Sequence, residues 1–197
     1  MSIEALGSMI ERYAPVCEQE EKDRELMLAM LRGGAHLLTR ENEIAHFTAS
    51  AWVAGRNLDK VLLAYHNIYS QWAWLGGHAD GDSDLLSVAL REAVEETGAR
   101  VRPLSVLPQS LEIIGVNGHF RHGLYVPSHL HLNISFLLIA DENDEIRVKP
   151  DENSGVSWFS LQDAEKASPE PFFRAVYGKL NNRLAAAGSG LNDNIQR

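Results

Sequence analysis

Cysteine is nearly absent, with Cys17 standing alone in 197 residues. One thiol cannot close an intramolecular disulfide, and such a chain suits a reducing cytoplasm. Long apolar runs are missing too. No segment approaches the ~20 residues that span a bilayer, and the N-terminus lacks the basic-then-apolar pattern of a secretory leader, so no membrane partner is expected. Positive charge is scarce: 18 Lys and Arg face 27 Asp and Glu, for a formal net charge of −9. A general nucleic-acid binder needs basic surface to neutralise phosphates, so no nucleic-acid partner is expected either. Any phosphate ligand must be met by local cations, whether a metal or a few Arg, Lys and His.

What is present is ordinary for a soluble globular chain: 45% apolar and 23% charged residues, enough for a sizeable core. The length fits one domain with an extension. We divide it into a helical N-terminal extension over 1–45, a main domain over 46–187 and a flexible, polar, Gly/Ser-bearing tail over 188–197. Glu18 to Leu31 is a charged helix with Leu26, Met27, Met30 and Leu31 as an apolar strip, ended by Gly33 and Gly34. The extension packs on the main domain or on a partner subunit, its apolar strip permitting a homodimer, or alternatively covers the functional site.

From His46 the period changes. Phe47–Ala54 and Lys60–Ile68 are β-rich segments separated by a turn at Gly55–Asp59. Val101–Val106, Leu111–Val116 and above all His129–Ala140 are further strands, with a loop expected over Asn117–Ser128. Ser160 is a helix N-cap before Leu161–Lys166, and Pro171–Ala187 is a closing amphipathic helix. Strands before and after a central helix, with a terminal helix, imply an α/β fold: a mixed β-sheet covered by helices on both faces.

The chain is organised around residues 76–98, GGHADGDSDLLSVALREAVEETG. Its second half reads as one helix stopped by Gly98, the residue type that enters the left-handed conformation without strain. At 100° per residue, Leu86, Leu90, Ala93 and Thr97 form a core-facing stripe, with Glu92, Glu95 and Glu96 on the opposite side. Like charges at this spacing repel by about 0.2–0.5 kcal/mol per pair. A divalent cation reverses that sign, since hard ions such as Mg²⁺ select carboxylate oxygen. A solvated acidic face is the plainer alternative.

The wider pattern resembles the Nudix box, Gly-x5-Glu-x7-Arg-Glu-U-x-Glu-Glu-x-Gly-U, with U aliphatic. Gly77 opens it, and Arg91, Glu92, Ala93, Glu95, Glu96, Gly98 and Ala99 follow in register; only Ser83 departs, standing where the box has its first Glu. The runs HFTASAWV, VLLAYHN, WLGGHADGD and HLHLNISFLL, with an acid before VSWF, are similar to a bacterial Nudix subgroup with a helical N-terminal extension. The resemblance implies a Nudix-type α/β/α sandwich and an Mg²⁺-dependent hydrolase (Mn²⁺ as an alternative) cleaving the diphosphate of a nucleotide or other phosphate-anhydride substrate. A non-catalytic nucleotide-sensing module is the second reading, encouraged by Ser83.

By the same resemblance, Glu92 and Glu96 are metal ligands, Glu95 shares the ion, and the Gly77 carbonyl joins them. Arg91 steadies the loop before the helix; with Ser83 unable to pair with it, Asp84 or Asp82 is the expected partner, or Ser83 or Asp82 simply caps the helix. Glu152 is a general base, a metal ligand or a solvated acid. Trp72 and Trp74 either pack in the core or form a shelf for a base. His78, in the box loop, is a candidate for substrate contact, and His129 and His131, with His119 and His122 upstream, for contact with phosphate or a second metal; two His at i, i+2 on a strand can chelate, but no Cys or further spaced ligand completes a recognisable zinc signature.

Overall fold

The computed structural model describes residues 2–34, 36–121 and 123–195. Helices α1 (Ile3–Arg12) and α2 (Glu18–Arg32) open the chain. Strands β1 (Ala45–Ala54), β2 (Lys60–His66), β3 (Gln71–Ala73) and β4 (Leu75–His78) lead into α3 (Leu85–Thr97). Then come β5 (Arg102–Pro103), β6 (Ser110–Val116), β7 (His119–Arg121), β8 (Leu124–Val126), β9 (His129–Ile139) and β10 (Asn153–Ser160). Helices α4 (Leu161–Lys166) and α5 (Pro171–Ile195) close the fold.

One sheet runs β10-β2-β1-β9-β5, with β3 on β2, β4 on β1 and β6 on β9. It is mixed: β1 and β9 are parallel in register from Ala45–Leu130 to Ala54–Ile139, and the other pairs are antiparallel. All ten residues of β1 are buried. The cause is its position: β9 lies along one side, while β4 and then β2 share the other, Thr48–Ala51 pairing with β4 and Val53–Ala54 with β2. A strand covered on both faces needs the small, apolar sequence AHFTASAWVA rather than strict alternation.

Side chains of β1 divide between two cores. Phe47, Ala49, Ala51 and Val53 join residues of α1, α2 and α3, whereas Trp52 and Ala54 join residues of α4 and α5. The fold is therefore an α/β/α sandwich.

The N-terminal helices belong to it. Leu6, Ile10 and Met27 are completely buried. Gln19 donates to the Leu111 carbonyl at 3.0 Å, and Asp23 accepts the Ile113 N–H at 2.9 Å, which seats α2 on the edge strand β6. Beneath this contact Lys179 of α5 donates to the wholly buried Glu20 at 2.9 Å and Glu112 at 3.3 Å. Burial pushes the Glu112 carboxyl up; against its own burial, the Val16 N–H and the Lys179 ammonium hold Glu20 down.

Several sequence expectations need correction. Within Val101–Val106 only Arg102–Pro103 pairs with β9, since a proline lacks the N–H a longer ladder needs. The loop over Asn117–Ser128 contains a separate hairpin, β7 with β8; His122 lies outside the described residues. In α2, Met30 and Leu31 pack with Met27 on the core of the same chain, while Leu26 points outward. α5, expected to end at Ala187, continues to Ile195, with Ser189 donating to the Ala185 carbonyl at 3.1 Å. No helix among the described residues is long and apolar enough to cross a membrane.

Candidate active site

Helix α3 starts at Asp84, whose carboxylate accepts the Ser87 N–H at 3.3 Å, and stops at Gly98, with φ at 72°. Asp84 is thus the N-cap, in place of Ser83 or Asp82. Nor does Asp84 serve Arg91, which leans instead on Asp82 at 3.9 Å and on Glu92 at 3.5 Å. Ser83 is buried below them.

The helix is also rotated from the expected stripe. Its buried residues are Leu85, Val88, Ala89, Ala93, Glu96 and Thr97, with Leu86 and Leu90 only partly covered. Rotation brings Glu96 onto the sheet side, where it accepts the Gly76 N–H at 2.7 Å. The two glycines of β4 serve different neighbours. A Cβ on Gly76 would strike the Ala49 carbonyl of β1, and one on Gly77 would strike the Glu92 carboxylate. Gly77 thus lets α3 set Glu92 directly against the strand whose Gly76 N–H holds Glu96.

Those carboxylates are electrostatically strained. Burial pushes Glu96 up to about 8; the charges of Glu152 and Glu92 push the same way, while the Gly76 N–H and Lys149 oppose. Glu92 is also raised, first by burial and then by Glu95, with Arg91 opposing. Lys149 bridges the rim, 3.3 Å from Glu95 and 3.0 Å from Glu152. Glu152, on the turn before β10, is held to the helix indirectly: neighbouring Asn153 donates to the Glu96 carbonyl at 3.0 Å and accepts the Lys149 N–H at 3.2 Å. The structure therefore gathers Gly77, Arg91, Glu92, Glu95, Glu96 and Glu152 at one end of α3. Four carboxylates beside the glycine pair of β4 can bind a hard cation and direct water at a phosphate.

Other predicted residues lie elsewhere. Trp72 packs edge-on to Tyr65 and Phe159, and Trp74 against Phe173 and Tyr177, in the α4/α5 core on the opposite face of the sheet. Their geometry is that of packing. His78, His129 and His131 also lie on that opposite face, around His46.

Sequence reasoning missed His46, Lys149 and Asn153. His46 stands opposite His131 in the parallel register of β1 and β9, a pairing that no local pattern reveals. Lys149, three residues before Glu152, carried a signal that the acidic turn around it hid.

The NUDIX domain profile matches residues 45–177. No curated protein matches the sequence. Among solved structures, a NUDIX-family hydrolase from Clostridium perfringens is 23% identical with a TM-score of 0.50, over 71% of this chain and 97% of its own. The dihydroneopterin triphosphate pyrophosphohydrolase of E. coli is 13% identical with a TM-score of 0.53, over 70% and 95%.

Proposed function

Since the chain belongs to the NUDIX domain family and its fold is that of a Nudix pyrophosphohydrolase, we propose that it hydrolyses the diphosphate bond of a nucleoside diphosphate linked to another moiety, with Mg²⁺ or in its place Mn²⁺. The observation that carries this reading is the buried Glu96 carboxyl, raised to about 8 and set with Glu92 against the glycine pair of β4. Lys149 opposes that rise too weakly to offset burial and the charges of Glu152 and Glu92. The donor set fits a hard divalent ion: every side chain offers carboxylate oxygen, and Mg²⁺ keeps several waters, so it needs only one or two protein carboxylates. When bound, the ion screens the diphosphate and makes the attacking water more acidic.

Each residue then has a task. Glu92 and Glu96 would hold the ion together with the Gly77 carbonyl, and Glu95 would share it from the rim. Arg91 ties the loop to the helix through Asp82 and Glu92. Glu152 accepts the proton of the attacking water, and the Lys149 ion pair holds its carboxylate in place. Water adds to one phosphorus, the anhydride P–O bond breaks, and two phosphate-bearing fragments leave.

The test is a panel of ADP-ribose, nucleotide sugars, dinucleoside polyphosphates and dNTPs incubated with the purified protein and Mg²⁺. Products should appear from at least one class and vanish with EDTA. Silence from folded protein, with thermal stabilisation by a nucleotide, would establish the non-catalytic sensing reading instead.

A further inference from the structure

On the sheet face opposite α3, four imidazoles meet. The ring centroid of His46 lies 5.1 Å from His78, 4.9 Å from His129 and 5.1 Å from His131. His78 is 4.9 Å and His129 is 5.0 Å from His131. Nothing in the diphosphate chemistry uses this group, and its donors are of another kind.

We propose that His46, His129 and His131 form a binding site for a transition-metal ion, Zn²⁺ or a similar imidazole-selecting cation. The hydrogen bonds set the tautomers. His46 Nδ1 faces the Asn42 carbonyl at 3.1 Å and His129 Nδ1 faces the Pro127 carbonyl at 2.8 Å. A carbonyl only accepts, so each Nδ1 carries the proton and each Nε2 presents a lone pair. Metal-ligating histidines are oriented in this way, the second ring nitrogen donating to a carbonyl.

The ring nitrogens converge. In the metal-free protein His131 Nε2–H donates to the His129 Nε2 lone pair at 3.1 Å, a contact a metal would replace, and one ligand atom from each of the three rings falls within 4.8 Å of the others. Tetrahedral Zn–N bonds of about 2.0–2.1 Å place neighbouring nitrogens roughly 3.3 Å apart, so the His129–His131 pair already has that spacing and His46 closes on it by side-chain adjustment within the 4.8 Å limit.

His46 Nε2 is buried with no hydrogen-bond partner, on a side chain only 4% exposed. An unpaired buried polar atom costs about 1–3 kcal/mol, and an ion removes that cost. Neutral imidazole is the ligating form for a transition metal. The scaffold is rigid, since two ligands project from adjacent central strands in direct register, His46 against His131.

The experiment is a Co²⁺ titration of the full-length, EDTA-stripped protein at pH 7.5, followed in the visible spectrum, with Zn²⁺ competition. One equivalent should give d–d absorption of tetrahedral or five-coordinate character, displaced by Zn²⁺. His131→Ala and His46→Gln, each checked for folding by circular dichroism, should lose the band, whereas Glu96→Gln should keep it. Absence of the band, or its persistence in folded His131→Ala, overturns the proposal, as does its loss in folded Glu96→Gln. Because the readout is spectroscopic, a failed hydrolysis assay leaves it standing.

Discussion

Glu96 couples proton, metal and stability in one side chain. Its carboxyl titrates near 8 in the folded protein against an ordinary 4.5. Between those values the folded state holds a proton that the unfolded state has released, so apo stability falls as pH rises through that window. Below it both states are protonated and the penalty disappears. Calorimetry of the metal-free protein should therefore give a melting temperature that declines from pH 5 to pH 8.5, and Glu96→Gln should flatten that slope. Mg²⁺ should displace the proton, so its stabilisation should be larger at pH 8.5 than at pH 6; equal effects would place the ion elsewhere. Glu152 supplies a separate check. If it accepts the proton of the attacking water, Glu152→Gln lowers kcat by about 10²–10⁴-fold with Mg²⁺ affinity little changed. Loss of both together in steady-state assays would make it a ligand instead.

At the scale of elements, Lys179 is the pin joining α2, β6 and α5. It is the cation shared by two carboxylates with no exposed surface, Glu20 and Glu112. Removing one partner of a buried charge set costs about 3–5 kcal/mol, so Lys179→Met should shift the urea midpoint by that order. Adding Glu112→Gln should recover part of the loss, because one stranded charge is then gone. This network was invisible in the sequence: its members lie 67 and 159 residues apart. The helix that carries the acids was legible, through its Gly98 stop and its apolar period. Its rotation was not. Leu85 and Val88 are as apolar as Leu86 and Leu90, and the choice between them was made by a Gly76 N–H twenty residues upstream. Likewise Trp72 and Trp74 are legible as a same-side pair, but which core they enter depends on α5.

At the scale of the whole molecule, the sandwich was readable from the order of strands and helices. The share taken by residues 1–45 was not, because an amphipathic helix declares an apolar face without saying what covers it. Leu6 and Ile10 complete the α3-side core. Leu6→Ala should accordingly cost about 2–5 kcal/mol, measured by chemical denaturation, whereas an independent appendage would leave the midpoint unmoved.

The side-by-side lie of β1 and β9 has a temporal consequence. Asn133 of β9 accepts hydrogen bonds from Thr48 and Ser50 of β1, 85 and 83 residues earlier. Pairings that distant form slowly, because a long loop must close before any contact compensates for its lost entropy. During synthesis on the ribosome, β1 thus waits without its parallel partner until most of the chain has emerged. A nascent chain halted before residue 129 should remain open to protease, and one released beyond β10 should resist it.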